Sequence, residues 1–380
     1  MAEVLDIRGG DEQAVAKAVT RAAETVADGQ LVVIPDEAGY HMVGSIVDPS
    51  AAESLLRPTV LTKQSDNSDV LPGPVVLGPD AASVLGLASV STDSEELVQR
   101  LSRRCWPAPV VMDLVPQTTP PNNCSASWWT HVTDTGQLPV RVPAHEVPRG
   151  LLDLADTLLL ARPLDLTDSG DPTPGSCDSA TLILQAGPSR FTGGDTTIRI
   201  RENRWDVTHE GAVGAATVAR MACRAVVFVC TGNTCRSPMA EALFRKMLAE
   251  RLQCRDEELV DRGFLVGSAG VAAYGGSPIS LEAAESLRER GIDSASHVSQ
   301  PLTAGLAIQA DHLVAMTRGH RDSILNAWPD TASRLRLLDP NGLDIDDPIG
   351  GSPAVYAECC REIETRLETL IDEFLDSSPN

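Results

Sequence analysis

The stretch Val229-Cys230-Thr231-Gly232-Asn233-Thr234-Cys235-Arg236-Ser237-Pro238 holds a nucleophile, a fixed cation and several small polar residues within one short loop. Cys230 and Arg236 are the ends of a C-x5-R unit. Ala225 to Val229, just before it, reads as a buried strand, and Ser237 to Leu252, just after it, reads as a helix. Open α/β sheets bind ligands at the carboxyl ends of their strands. A helix N-terminus adds unpaired N–H groups and partial positive charge, and successive N–H groups leading into it form a nest for an anion. Gly232 can take the positive φ such a loop needs, and Asn233 tolerates it. Pro238 suits the first helical turn, where no N–H is required. The loop can therefore close around one phosphate-sized anion, with Thr231, Gly232, Asn233, Thr234, Cys235 and Ser237 as the candidate phosphate-binding residues. Cys230 sits at its floor, in surroundings that suit a thiolate. Arg236 offers a planar fork to two equatorial oxygens of a transferring phosphoryl group, and Ser237 can donate its hydroxyl to the sulfur as it leaves.

Attack on phosphorus also needs an acid for the leaving group. The segment Asp344-Ile345-Asp346-Asp347-Pro348-Ile349-Gly350-Gly351 supplies candidates on a surface loop able to reach over Cys230. Around these two pieces the second half alternates strands and helices. Gly263 to Ala269 and Asp311 to Met316 read as strands, Ser280 to Arg290 as a helix ended by Gly291, and Ala354 to Leu375 as a closing helix. That last helix repeats Val355, Cys359, Ile363, Leu367, Leu370, Ile371 and Phe374 every three or four residues. Such alternation predicts a parallel sheet with right-handed crossovers.

The first half reads as mixed α/β. Apolar residues at helical spacing over 11–27 end at Gly29, and Leu31 to Pro35 is a buried-strand pattern. A helix is expected from Ser91 to Arg103, capped by Ser91 or Thr92. Strands are expected at Leu138–Val142, Thr181–Ala186, Thr196–Ile200 and Trp205–Thr208. Pro and Gly punctuation predicts long loops over 57–80 and 105–124, and residues 162–179 read as an exposed loop. Trp128, Trp129 and His131 read as packing and loop residues. The small-residue segment Gly211 to Arg220 bridges the halves, which gives domains at 1–215 and 223–380.

Composition bounds the function. The net charge of −22 over 380 residues argues against a large nucleic-acid surface, since phosphate neutralisation needs clustered Lys and Arg. Met1 to Gln13 does not read as a secretory signal, and no apolar run reaches the roughly 20 residues that span a bilayer, so a membrane partner is not expected. Nine cysteines without paired C-x-x-C clips indicate neither a disulfide framework nor a zinc ribbon. The expected compartment is the cytoplasm.

With these residues in view, the second half closely resembles the low-molecular-weight protein tyrosine phosphatase family over about 223–376. The resemblance rests on V-C-T-G-N-T-C-R-S-P-M-A-E at 229–241, Gly267-Ser268-Ala269-Gly270, Ala310 to Thr317, and D-D-P at 346–348. It implies a parallel-sheet phosphatase fold, Cys230 as nucleophile, Arg236 as phosphate clamp, and Asp347 as general acid and then base. Asn233 and Ser237 carry over as loop-stabilising residues. No metal or cofactor is implied, because the cradle and Arg236 supply the positive field. Between Asn and the second Cys, phosphotyrosine enzymes of the family usually carry an aliphatic residue, whereas Thr234 resembles the bacterial protein-arginine phosphatases. Ile349 stands where an aromatic residue commonly walls the pocket. An arsenate-reductase branch would need resolving cysteines, for which Cys359 and Cys360 on the closing helix are the candidates. The resemblance also suggests a reversible disulfide between Cys235 and Cys230, against a plain buried role for Cys235.

Residues 1–215 more faintly resemble the YrdC-like domain of threonylcarbamoyl-adenylate synthases. The matching segments are Ile34 to Tyr40, Trp106 to Pro109, Val140 to His145, Ala186 to Arg190, and Thr196 to Ala212. Three departures speak against synthase activity: no Lys lies two residues before Arg57-Pro58, Leu164 to Gly170 replaces the S-A-N loop, and Asp195-Thr196-Thr197 replaces P-S-T. Acidic groups there should repel a triphosphate. The sequence thus predicts a cytoplasmic cysteine-dependent phosphatase, acting on phosphotyrosine or phosphoarginine in a phosphorylated protein, fused to a degenerate YrdC-like domain. The alternatives are threonylcarbamoyladenylate synthesis by the first domain, which alone leaves a route to tRNA or double-stranded RNA, and arsenate reduction.

Overall fold

The computed structural model describes residues 2–57, 73–173 and 175–376, and the chain divides into two compact units, Met1–Val218 and Ala219–Asn380. Among the described residues, the first unit carries the strands β1 (Glu3–Asp6), β2 (Val32–Asp36), β3 (Gly39–Ser45), β4 (Val75–Leu77), β5 (Val110–Leu114), β6 (Leu138–Arg141), β7 (Leu159–Pro163), β8 (Leu182–Gln185), β9 (Thr196–Arg201) and β10 (Arg204–His209). They form one mixed sheet in the order β1-β8-β2-β3-β7-β4-β6-β5-β9-β10. The helix Glu12–Ala27 starts where the Asp11 carboxylate accepts the Ala14 N–H, and Ala18, Val19, Ala22 and Val26 bury its inner stripe. Val147 and Leu151 of the helix Glu146–Ala155 join the same cluster over β2 and β8.

Several sequence expectations for this unit are corrected. Residues 105–124 are not a long loop, because β5 lies inside them, paired with β6 and β9. Asp113 interrupts its apolar run. In the sheet that carboxylate is buried and paired with Arg199 and Arg201, partners that local pattern cannot show. Of the expected loop at 57–80, residues 58–72 lie outside the described residues, and the remainder carries β4 just before a short helix, Ala81–Leu85. Ser91 is the N-cap of the helix Thr92–Cys105, but its side chain bonds Ser94 Oγ at 2.9 Å and makes no cap to a backbone N–H. Trp128, Trp129 and His131 lie on a helix, Ala126–Thr135, with both indoles buried.

The second unit is built on β11 (Arg224–Cys230), β12 (Phe264–Gly270), β13 (His312–Ala315) and β14 (Leu335–Leu337). Every pairing is parallel, in the order β12-β11-β13-β14. β11 is central, and its side chains alternate between two clusters. Val226, Phe228 and Cys230 face the core formed with the helices Arg236–Leu252 and Pro353–Asp376. Val227 and Val229 face the other layer, with Ala307 and Ile324 of the helices Ala304–Gln309 and Arg318–Ala327. The two-residue period of β11 thus places the Cys230 thiol on the side from which the following helix starts. On the closing helix Ile363, Leu367, Leu370, Ile371 and Phe374 are buried, each worth about 1.5–3 kcal/mol of apolar burial. Val355 is not part of that stripe. It is 46% exposed, and Tyr356, one residue further on, takes the inward position, while Cys359 and Cys360 are both buried.

Candidate active site

The loop between Cys230 and Arg236 is held by the side chain of Asn233. This residue is fully buried and has φ 56°, in the left-handed region. Its Nδ2 donates to Ser237 Oγ at 2.9 Å and to Ser268 Oγ at 2.8 Å, and its Oδ1 accepts the Gln300 N–H at 2.9 Å. His297 Nε2 lies 2.9 Å from its carbonyl oxygen. Gly232, expected to take the positive φ, does not, since that role falls to Asn233. Asn fits because its short amide can turn inward and satisfy three neighbours at once.

Gly270 at the end of β12 is required for a different reason. A Cβ there would stand 2.4 Å from the Thr231 carbonyl oxygen and 3.0 Å from the Asn233 nitrogen, so only a glycine lets strand and loop approach this closely. Two residues earlier, Ser268 accepts from Asn233 and donates to Glu241 Oε2 at 2.6 Å. Burial raises the Glu241 carboxyl above its usual range, while this hydrogen bond opposes the shift. G-S-A-G and M-A-E are therefore the second ring of the loop, joined through Asn233.

Cys230 is 3% exposed. Its sulfur lies 3.0 Å from Ser237 Oγ and accepts the Asn233 N–H at 3.3 Å. The Ser237 hydroxyl already accepts from Asn233, and its single proton has two acceptors, the sulfur at 3.0 Å and the Ala269 carbonyl at 3.3 Å. Arg236, 5% exposed, donates through Nη1 to the Ile345 carbonyl at 3.0 Å and through Nη2 to Asp347 Oδ2 at 2.6 Å. Its Nε is buried without a partner. A charged group left one donor short beside a nucleophile is a place for an anion oxygen.

The structure brings Cys230, Arg236, Asn233, Ser237 and Asp347 together and separates the neighbouring acids. Asp344 is turned to the Arg318 backbone N–H at 2.7 Å, which with the arginine side chain holds its carboxyl below the usual range. Asp346 is exposed and its carbonyl accepts the Cys359 thiol. Thr234 is half-buried on the loop, with its carbonyl accepting the Ser280 N–H. Cys235 contacts Tyr356 OH at 3.5 Å and Ser280 Oγ at 3.4 Å, and all nine cysteines are free. Cys359 and Cys360 are core residues of the closing helix, where burial pushes their thiols up to about 12 and about 11. Ile349 is 71% exposed.

One residue escapes sequence reasoning altogether. His320 is buried, with Nε2 2.8 Å from Thr231 Oγ1 and Nδ1 2.9 Å from Thr317 Oγ1. Burial, aided by the Arg236 charge, pushes its imidazole down to about 4. It is therefore neutral near pH 7. The only local signal is Thr317, which caps the helix Arg318–Ala327 and accepts the His320 N–H.

Residues 225–378 match the family described as low molecular weight phosphotyrosine protein phosphatase. A protein-arginine-phosphatase of Geobacillus stearothermophilus is 38% identical over 152 residues, 39% of this chain and 94% of that protein. The chain belongs to the low molecular weight phosphotyrosine protein phosphatase family. It is a cysteine-dependent phosphatase, a hydrolase. A second protein-arginine-phosphatase, from Bacillus subtilis, is 40% identical over 149 residues, 38% of this chain and 93% of the relative. Low molecular weight protein-tyrosine phosphatase A of Mycobacterium tuberculosis is 38% identical over 155 residues, 39% of this chain and 89% of the relative. Residues 24–211 match a second family, described as telomere recombination, the Sua5/YciO/YrdC group. No helix among the described residues is long and apolar enough to cross a membrane.

In that first unit the matched segments do converge. Arg141 of β6 meets Asp36 at the end of β2, Glu37 in the β2–β3 turn and Asp195 before β9. Asp195, at the first position of the P-S-T match, thus puts a carboxylate on a guanidinium that is fully buried.

Proposed function

We propose that the second unit, residues 223–380, hydrolyses phosphoarginine in proteins through a phosphocysteine intermediate, and that the first unit, 1–215, is not a synthase. Cys230 attacks phosphorus, and the bond from phosphorus to the leaving nitrogen breaks. The loop N–H groups of Thr231 to Ser237 and the free Arg236 Nε take the equatorial oxygens, whose charge is spread in a loose transition state. Ser237 gives its hydrogen bond to the sulfur. Asp347 in its acid form protonates the leaving nitrogen, and as a carboxylate it then takes a proton from the water that cleaves the P–S bond. In the free chain Asp347 Oδ2 accepts from Arg236 Nη2. A bound phosphoryl oxygen can replace it there and free the carboxyl to meet the leaving group.

The observation that carries the choice of substrate is the presence of Thr234 on the loop together with an exposed Ile349 on the acid loop. Thr234 presents a small, half-polar wall, and its hydroxyl makes only a long contact, 3.7 Å, to Cys235 Sγ. Ile349 brings no ring to stack on an aryl group. Both features suit a planar polar guanidinium better than a phenol, and two of the named relatives are protein-arginine phosphatases. A thiolate nucleophile works where it is kept reduced, which supports a cytoplasmic location.

Single-turnover and steady-state assays of the full chain on a phosphoarginine peptide and a phosphotyrosine peptide test the reading. The expected result is a larger kcat/KM for phosphoarginine, and no turnover for Cys230→Ser, which still binds phosphate. Arg236→Lys should also fail, since a point charge cannot replace the fork. Turnover by Cys230→Ser would exclude the phosphocysteine route, and a strong preference for phosphotyrosine would move the substrate to the aryl class.

A further inference from the structure

We propose that the first unit binds a small organic cation with an aromatic or apolar body, in the cavity between the β3, β7 and β9 side of its sheet and the loop 164–170. The cavity holds about 810 Å³, the size of a small-molecule site. Beneath it lies a buried cluster of charges that reaches the cavity only through Asp195 and His41. Arg141 donates through Nη1 to both oxygens of Asp195, at 2.7 and 2.8 Å, and through Nη2 to Asp36 Oδ1 at 2.8 Å. Glu37 Oε1 lies 2.6 Å from the same Nη2. One guanidinium faces three carboxylates, but burial raises the Asp36 carboxyl well above its usual range, the Ala144 and His145 N–H groups donate to Glu37, and His41 Nε2 lies 3.5 Å from Asp195 Oδ2, so the cluster is largely compensated within itself.

Asp195 and His41 of this cluster form part of the cavity wall. His41 is 3% exposed, and its Nδ1 makes no hydrogen bond, although Asp36 Oδ2, itself without a hydrogen-bond partner, lies 3.4 Å away. The rim adds Asp165 and Asp168, neither of which has an ion-pair partner among the described residues. Arg199 also lines the cavity, but its Nε is committed to Asp113 at 2.9 Å. The side walls are different in kind. Trp128 and His131 stack with ring centres 5.8 Å apart, and the buried Trp128 indole N–H has no acceptor.

A ligand that fits all of these needs positive charge for the rim, where Asp165 and Asp168 stand unpaired among the described residues, an apolar face for the rings and an acceptor for the indole. A triphosphate meets the carboxylates of Asp165, Asp168 and Asp195, while the Arg199 Nε is taken by Asp113. Among the described residues no group of three His, Cys, Asp or Glu side chains is placed to hold a metal ion, and the counter-charge for the rim is assigned to an organic cation.

The test is isothermal titration of the full chain with tyramine and with 3-(4-hydroxyphenyl)propionate, which share a phenol and differ in the sign of the charged end. Tyramine should saturate one site per chain at least about tenfold more tightly than the propionate, as expected when like charges are juxtaposed. The rim double variant Asp165→Asn, Asp168→Asn leaves the buried network intact and should weaken tyramine several-fold, with an unchanged circular dichroism spectrum. The proposal fails if the propionate or ATP binds as tightly as tyramine, if tyramine shows no saturable binding up to about 10 mM, or if its affinity is the same in the rim variant. None of these readouts involves Cys230, so the phosphatase reading stands or falls separately.

Discussion

Replacing Asn233 separates the two things it does for the phosphate loop. Asn233→Ala removes three side-chain hydrogen bonds, to Ser237, Ser268 and Gln300. At about 0.5–1.5 kcal/mol each these sum to roughly 1.5–4.5 kcal/mol, with the high end favoured because all three partners are left in a buried site. Alanine must also hold φ 56°, which costs an L-residue without a polar side chain about 1 kcal/mol more. Asn233→Gly loses the same bonds but carries no such cost, less a few tenths for its freer unfolded chain. Alanine should therefore be the worse variant by about 1 kcal/mol, or roughly fivefold in the equilibrium constant. Hydrogen exchange of the β11 amides measures this for the second unit alone. Inorganic phosphate affinity should fall in both variants, because the Asn233 N–H that faces Cys230 is no longer fixed. If alanine and glycine were equally stable, the left-handed backbone would not be the constraint claimed here. If both matched wild type, the hydrogen-bond network would carry no energy.

Asp347→Asn should reduce turnover about 10²–10⁴-fold on substrates with poor leaving groups and much less on an activated aryl phosphate, the range usual for a general acid. Asp344→Asn should do little, because its carboxylate serves the Arg318 backbone, and a larger loss there than at Asp347 would reassign the acid. Thr234→Ile should shift the ratio of kcat/KM values toward phosphotyrosine by roughly 10–200-fold, the worth of one pocket contact. Comparing the ratio within each variant removes general damage to the loop, and an unmoved ratio would take Thr234 out of substrate choice. His320 gives a pH signature. Its folded value of about 4 lies below the ordinary imidazole value of 6.5, so the unfolded chain binds the extra proton between these values. The stability it contributes is present above pH 6.5 and is lost as the pH falls toward 4. His320→Gln should flatten that acid limb in urea titrations, and an unchanged slope would show that other groups set it. With ATP, bicarbonate and threonine the chain should release no pyrophosphate, whereas turnover would restore the synthase alternative.

Much of the active loop can be read along the chain, because its parts are consecutive. A C-x5-R segment between an apolar run and an amphipathic one fixes a strand, a nest of N–H groups and a helix start by local geometry alone. The same holds for the parallel alternation of the second unit, whereas for the left-handed position the sequence left two candidates, and the hydrogen bonds of the Asn233 amide to Ser237, Ser268 and Gln300 accompany its taking that role in place of Gly232. What lay beyond local reading depended on residues distant in sequence. Among three aspartates in four positions, only the fold shows that Asp347 meets Arg236 while Asp344 meets Arg318. His320 and Gln300 carry no motif, and they reach the loop only because the crossovers return them to one end of β11. Asp113 hid β5 because a buried acid looks like a turn until Arg199 and Arg201 are placed beside it. The excess of carboxylates around Arg141 arises in the same way, from segments about 50 to 105 residues away in sequence. Backbone propensity and apolar period act over a few residues and are written locally. Charge pairing and buried hydrogen bonding act through space, so their partners are decided only when the sheet has closed.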